Sequence, residues 1–139
     1  YLNWFLRLFE SFGNPVEVIS KEDKVRYHAA AAMASNLYVG LANMCEQMLR
    51  DCGFSAANAH RALSPLMIGN TENIIQYGPV GALTGPIERN DLTTVMDHLE
   101  SLSEQEQKVY KILSGEVINV AKMKHPERDY SEMERMLNS

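Results

Sequence analysis

The sequence predicts an all-α fold, and three observations support this prediction. Apolar residues recur at helical spacing in one segment after another, helix-capping residues separate these segments, and no alternating run is long enough to build a sheet. The chain has 139 residues and no repeat at a fixed period, which matches one ordinary domain. We therefore expect five or six helices around one long central helix.

The chain begins with an amphipathic helix. Its apolar face has helical spacing and comprises Leu2, Phe5, Leu6 and Phe9. Gly13, followed by Asn14 and Pro15, predicts the end of this helix. The segment PVEVIS that comes next predicts a short extended link. We expect residues 1–19 to form this leading helix and link, and residues 20–139 to form the helical core of a single domain.

The long central helix is predicted from Ser20 to about Asp51. Ser20 and Asp23 have the spacing of a capping box, and Gly53 predicts the C-terminal end. The middle of this helix is rich in small residues on every face, namely Ala29, Ala30, Ala31, Ala32, Ala34, Ser35 and Gly40. Small side chains allow neighbouring helices to approach closely. We therefore expect this helix to be buried, as the spine of the domain or at a subunit interface.

Two polar residues, His28 and Asn36, interrupt the small-residue region. Seven residues at about 100° each return Ser35 to the face of His28. A buried amide without a partner costs about 1–3 kcal/mol, so Asn36 needs hydrogen bonds in this environment. We expect it to bridge to the loop that holds Thr84, either as a structural clasp or as a substrate contact.

Capping signals also mark the middle of the chain. Ser55 predicts the start of a helix, and Pro65 predicts a kink or a break within it. Gly78 and Pro79 predict its end. The polar, turn-forming stretch GPVGALTGPIERN follows as a loop.

Three further signals divide the C-terminal part. Asp91 predicts the N-cap of a helix through LTTVMDHLESL. Ser103 with Glu106 forms a capping box for the next helix. Pro126, at a first-turn position, predicts the start of the last helix.

The composition excludes several classes of partner. The 13 Lys and Arg are outnumbered by 18 Asp and Glu, and no basic run is interleaved with aromatic residues, so we expect no nucleic-acid partner. No run reaches the roughly 18 consecutive apolar residues that a bilayer span requires, so we expect no membrane partner. The four His lack the spacing of metal ligands, so we expect no metal site.

The cysteines and the first residues bear on the origin of the chain. Cys45 and Cys52 would lie about 10 Å apart along one helix, which is too far for a disulfide. Reduced thiols suggest a cytoplasmic protein. The chain opens with YLNWFLRLFESFG, without an initiator Met and without the features of a signal peptide. We expect a piece of a longer protein or a processed product.

Two motifs resemble a known family. KVRYHAAAAMASN, followed after about fifty residues by ALTGPIERNDLTTVMDHL, resembles the C-terminal helical domain that follows a Rossmann-like domain in bacterial NAD(P)-dependent oxidoreductases. That family is similar to the deazaflavin-dependent NADP reductases, and its C-terminal domain resembles that of the 6-phosphogluconate dehydrogenase superfamily. The resemblance covers residues 1 to about 115.

Single positions carry this resemblance. The first motif comprises Lys24, Tyr27, His28, Ala29, Ala30, Ser35 and Asn36, and the second comprises Leu83, Thr84, Gly85, Pro86, Arg89 and Asp91. Asn90 stands where the family has Gly. Since Asn tolerates a left-handed backbone, this departure matters little.

The resemblance implies a 6-phosphogluconate dehydrogenase C-terminal-like helical domain that forms the far wall of a substrate cleft and a homodimer contact. A Rossmann-like domain would bring the hydride carrier, NADP or NAD. This sequence has no GxGxxG fingerprint after a strand. We therefore expect this chain alone to bind no cofactor and to have no activity, and we expect a small-molecule substrate for the full-length protein.

The candidate catalytic residues are His28 and Asn36, and the candidate substrate-binding residues are Lys24, Thr84 and Arg89. His28 is suited to protonate a carbonyl substrate, or it is a buried His held by a neighbouring hydroxyl or carbonyl. Lys24, one turn earlier, pairs with a substrate carboxylate or is a solvated first-turn lysine. Arg89 offers a planar fork to a carboxylate or phosphate, or it pairs with Asp91 and holds the corner.

Three hypotheses remain. The first is the helical substrate-cleft and dimerisation domain of an NAD(P)-dependent oxidoreductase. The second is a stand-alone helical ligand-binding or protein-interaction module without catalysis. The third is a purely structural dimerisation domain, which monomeric behaviour in solution would exclude.

Overall fold

The computed structural model describes residues 1–13 and 16–138, and its regular structure is helical. In chain order it contains α1 (Leu2–Ser11), α2 (Lys24–Ala32), a π-helical turn (Met33–Leu37), α3 (Tyr38–Asp51), α4 (Ala56–Ala82), α5 (Leu92–Ser101), α6 (Glu104–Lys124) and α7 (Ser131–Asn138). No strand occurs within the described ranges. The predicted all-α fold is confirmed.

The chain divides into two compact units, residues 1–43 and the residues from Met44 onward. We call them the first unit and the second unit. The first unit contains α1, α2 and the π-helical turn, and the second contains α4 to α7. The single domain with its helical core at residues 20–139 stays a prediction.

The first unit has no buried side chain among its described residues. Its large apolar side chains are exposed, among them those of Trp4, Phe12, Val25, Tyr27, Met33, Leu37 and Val39. The predicted burial of the Ala-rich helix, with Asn36 inside it, is therefore wrong within the first unit, while its burial at a subunit interface stays a prediction. The physical reason is size, because a unit of about 40 residues has too little apolar surface to build a core alone.

The core lies in the second unit. It comprises Ile87, Val95, Ile118, Ala121, Tyr130, Met133 and Leu137. α6 packs against both α4 and α7, and α5 packs against α7. The core therefore sits where α5, α6 and α7 meet the segment before α5, rather than around the Ala-rich helix.

Helix ends follow the predicted capping chemistry. Gly13 has φ 74° directly after α1 and donates to the Glu10 carbonyl at 2.9 Å, while Asn14 and Pro15 lie outside the described residues. After α3, Gly53 has φ 93° and donates to the Arg50 carbonyl at 2.9 Å. Phe54 donates to the Leu49 carbonyl at 3.1 Å. This pair of bonds is a Schellman motif and confirms the predicted helix end.

The predicted N-caps of α4 and α6 are also present, whereas the predicted helix start at Ser20 is wrong. Ser20 Oγ accepts from the Asp23 amide at 3.0 Å in the turn that precedes α2, and the helix begins at Lys24 with Asp23 at its N-cap position. Ser55 Oγ accepts from the Asn58 amide at 3.2 Å and caps α4. Both bonds of the capping box between Ser103 and Glu106 are formed at the start of α6. These local signals depend on side chains three residues apart, so the sequence specifies them directly.

Two further predicted boundaries are wrong. α4 does not break at Pro65, and its one non-helical residue among those described is Gly78, with φ 69° and ψ 172°. A proline removes one backbone donor, whereas a glycine can adopt the positive φ that interrupts a helix. α7 begins at Ser131 rather than Pro126. The Asp129 carboxylate accepts from the Ser131 amide at 2.9 Å, which places the start of the helix there.

Candidate functional site

Lys24 and His28 lie one turn apart on α2. With Val25 and Tyr27, which are also exposed and belong to the same helix, they line an open pocket of ≈ 430 Å³ on the surface of the first unit. The side chains of Lys24 and His28 are themselves exposed. This pocket brings together one predicted catalytic residue and one predicted substrate-binding residue, and an ammonium next to an imidazole suits an anionic or carbonyl-bearing ligand.

Asn36 lies in the π-helical turn of the first unit. Ser35 Oγ is 2.7 Å from the Ala31 carbonyl oxygen and 3.1 Å from Asn36 Oδ1. The wider turn changes the angular spacing, so the α-helical argument that placed Ser35 on the face of His28 does not apply across it. Thr84 lies in the second unit, and its predicted contact with Asn36 stays a prediction.

The corner, defined as residues 83–91, joins α4 to α5 in the second unit. Gly85 has φ 106° and Asn90 has φ 58°, so the left-handed conformation that the sequence allowed at Asn90 is present. Asp91 Oδ1 accepts from the Thr94 amide at 3.1 Å, and Thr94 Oγ1 donates to Asp91 Oδ2 at 2.7 Å. Asp91 therefore caps α5, as predicted.

Arg89 is exposed on this corner. The pKa of Asp91 is lowered, first by the Thr94 amide, then by the Thr94 hydroxyl, and only weakly by the charge of Arg89. The cap therefore depends on Thr94 rather than on pairing with Arg89.

The clasp, defined as Glu88 with His125, Arg128 and Tyr130, fastens the corner to the link between α6 and α7. His125 Nε2 is bonded to the Glu88 carboxylate. Arg128 Nη1 donates to the Glu88 carbonyl, and the Tyr130 hydroxyl donates to the same carbonyl at 2.6 Å. Asn90 Nδ2 donates to the Asp129 carbonyl at 3.0 Å. Both the side chain and the backbone of Glu88 are thus held by residues far along the chain.

Sequence reasoning missed this clasp. Its partners lie 37 to 42 residues from Glu88, and no local spacing relates them. The one available signal was the HPERDY segment, in which charged residues and a tyrosine follow the end of α6.

The clasp predicts a dependence of stability on pH. The bond from His125 lowers the pKa of Glu88 below its ordinary value of 4.5. A lowered folded-state pKa contributes stability above the unfolded value, and this contribution is lost as the pH falls through the folded-state pKa. In urea titrations, we expect the free energy of unfolding of the wild type to fall as the pH is lowered, and Glu88→Gln to make this fall smaller. Glu100→Gln, an exposed control on α5, should leave the fall unchanged. An equal fall in wild type and Glu88→Gln would contradict this account.

Thr84 lines a second pocket, which lies in the second unit. Its volume is ≈ 410 Å³, and its walls come from the C-terminal half of α4, the corner and α6. Arg89 is not among the described residues that line it. The structure therefore separates the two predicted substrate-binding residues of the corner, with Thr84 in a pocket and Arg89 on the surface.

Gly81, next to the pocket residue Ala82, lies close to the side chain of Tyr77 on the same helix. A Cβ at Gly81 would lie 2.8 Å from Tyr77 Cβ, which has little freedom to move. We expect Gly81→Ala to destabilise the protein by about 1–3 kcal/mol through overpacking. Gly115→Ala is the matched control, since a Cβ there meets no atom within 4 Å and should stabilise α6 by up to about 1 kcal/mol. Thermal unfolding of both variants checks the prediction, and equal shifts would overturn it.

Two kinds of feature are absent from the described residues. In the ranges 1–13 and 16–138, no group of three or more His, Cys, Asp and Glu side chains is arranged to hold a metal ion. No helix of the same ranges combines the length and apolarity that crossing a bilayer requires. Cys45 and Cys52 are both free, as the spacing predicted, and burial raises the pKa of the Cys45 thiol.

Comparison with known proteins identifies the family. The family model described as Domain of unknown function (DUF2520) matches residues 1–117. The chain belongs to the DUF2520 family. No curated protein and no solved structure matches it significantly.

The DUF2520 match includes all five predicted site residues. It begins at the first residue of the chain, covers the pocket of the first unit and the corner, and ends within α6. The clasp residues His125, Arg128 and Tyr130 follow the matched segment. The matched part of this DUF2520 chain therefore contains the lining residues of both candidate pockets, except for Val120 in α6.

Proposed function

We propose that the chain is the helical substrate-cleft and dimerisation domain of an NAD(P)-dependent oxidoreductase, and that it is not catalytically complete alone. The observation that carries this proposal is the uncovered apolar surface of the first unit. Soluble proteins seldom leave so many large apolar side chains exposed unless another surface covers them.

The exposed area is large enough for a subunit interface. Six aromatic side chains of the first unit expose between 39% and 71% of their surface, namely Trp4, Phe5, Phe9, Phe12, Tyr27 and Tyr38. At about 150–250 Å² for each aromatic side chain, they expose on the order of 600 Å². With the exposed aliphatic side chains of the same unit, the total exceeds the roughly 800 Å² per partner of a stable interface. We propose that a second copy of the chain covers this surface.

The small residues of α2 favour close helix contacts at that interface. Ala29, Ala30, Ala31 and Ala32 are consecutive. Their side chains add little volume, so two helices can approach closely and bury backbone as well as side-chain surface. The composition that predicted burial thus fits a helix that would be covered in the proposed dimer.

The oxidoreductase part of the proposal is supported by Lys24 and His28. In the pocket of the first unit, Lys24 would hold an anionic group of the substrate, and His28 would hold or deliver a proton at a carbonyl oxygen. A nicotinamide cofactor, when bound by a dinucleotide-binding domain, supplies the hydride. Asn36, in the same unit, would orient the substrate through its amide, and Arg89, in the second unit, stays a candidate for a bidentate contact with a carboxylate or phosphate.

The test measures the natural gene product. Intact mass spectrometry gives its length, and a fluorescence titration with NADPH and NADH gives its nucleotide affinity. We expect about 120–150 additional N-terminal residues, the size of one domain. We also expect the natural product to bind one of the two nucleotides and the 139-residue chain to bind neither. A natural product that begins at Tyr1 and binds neither nucleotide would overturn the proposal and favour the stand-alone module.

A further inference from the structure

The pocket around Thr84 has the size and lining of a small-molecule site. Its volume of ≈ 410 Å³ falls within the range of about 300–1,000 Å³ in which proteins hold small ligands. Most of its wall is apolar and includes Ile74, Leu83 and Val117. Its polar side chains are those of Asn70, Thr84 and Glu116. An apolar wall with a few polar groups favours a ligand with an apolar body and one polar head.

The charge of the lining decides which head group fits. Among the described residues that line the pocket, the charged one is Glu116. Asn119 donates to its carboxylate only over 3.4 Å, so this carboxylate can still accept from a ligand. The Lys124 ammonium donates to the Leu83 carbonyl at 2.6 Å and is occupied there. The pocket therefore disfavours an anionic head and favours a cation or an uncharged donor.

We infer that the Thr84 pocket binds the apolar part of a small molecule whose head is an amine or a hydroxyl, with that head at Glu116, Asn70 and Thr84. This ligand is distinct from the anionic substrate proposed for the pocket of the first unit, so the inference goes beyond the proposed function and does not depend on it. The lining residues all belong to the second unit, so binding requires neither the dinucleotide nor the first unit.

Three probes with the same six-carbon body test this inference. They are n-hexylamine, 1-hexanol and hexanoate, titrated into the ¹⁵N-labelled chain at pH 7 while backbone amide shifts are recorded. We expect the amine and the alcohol to shift amides of the pocket residues. A partly exposed ion pair contributes up to about 1 kcal/mol, so the amine should bind about fivefold tighter than hexanoate.

Two variants distinguish the contribution of the ligand's head group to affinity from that of its apolar body. Glu116→Gln should bring the affinities for hexylamine and hexanoate close together and leave that for hexanol unchanged. Glu104→Gln is the matched control, because it removes the same charge from an exposed position three turns earlier on α6 and should change nothing. Leu113→Trp places a larger side chain at a partly exposed wall position and should weaken all three probes about tenfold.

Three results would overturn the inference. They are equal affinity for the three probes, no shift up to their solubility, and shifts of the same amides that depend on protein concentration without any probe. The last would mean that a second copy of the chain occupies the pocket. Each of these results leaves nucleotide binding by the natural gene product untouched, so failure of this inference is distinguishable from failure of the proposed function.

Discussion

Tyr130→Ala should destabilise the second unit by about 3–5 kcal/mol, the usual cost of truncating a fully buried aromatic side chain. Tyr130 is 1% exposed and packs in the core with Ile118, Val95 and Met133. Its hydroxyl also donates to the Glu88 carbonyl at 2.6 Å. The substitution therefore removes core volume and one bond of the clasp together, and urea denaturation measures the loss.

Two further variants separate these contributions. Tyr130→Phe keeps the ring and removes the hydroxyl, and should cost about 1 kcal/mol, the net contribution of one hydrogen bond. Ile112→Ala, at a position 72% exposed on α6, should change stability by less than about 0.5 kcal/mol. Far-ultraviolet circular dichroism is the right probe, because the single tryptophan, Trp4, lies in the first unit. A loss below 1 kcal/mol for Tyr130→Ala would contradict the described core.

Ala30→Glu should weaken self-association of the chain at least about 100-fold. The proposed interface covers the small residues of α2, and an unpaired charge buried there costs about 3–5 kcal/mol. Glutamate forms helix nearly as well as alanine, and Ala30 is exposed within one chain. The monomer should therefore keep its fold. Sedimentation velocity over a concentration series measures the change in association.

Gln105→Glu is the control for this experiment. It adds the same charge at an exposed position in the first turn of α6, in the second unit. A negative charge is favourable at that end of a helix, so fold and association should both be unchanged. If Ala30→Glu associates as strongly as the control, α2 is not at the interface.

The local features of the fold could be predicted because each depends on residues close in sequence. Each capping contact joins residues within about one helical turn, as at Ser103 and Glu106, at Asp91 and Thr94, and at Gly53. The spacing of Lys24 and His28 likewise predicts that they lie one turn apart on the same helix, and in the structure both line one pocket. Such arguments need no knowledge of how the helices pack.

The long-range features could not be predicted in the same way. Nothing near Glu88 in the sequence indicates that His125 and Tyr130 will hold it, because that contact depends on how α6 and α7 pack. The Ala-rich helix is a second case in which the sequence does not specify a long-range contact. Its small residues indicated close packing, but composition does not say whether the partner is the same chain or another one.

The proposed interface of the first unit is the central claim, and sedimentation equilibrium of the 139-residue chain tests it most directly. The account predicts a species of twice the 15.7 kDa chain mass that dissociates on dilution. A mass of 15.7 kDa at every concentration would contradict it, since the apolar surface of the first unit would then remain uncovered in solution.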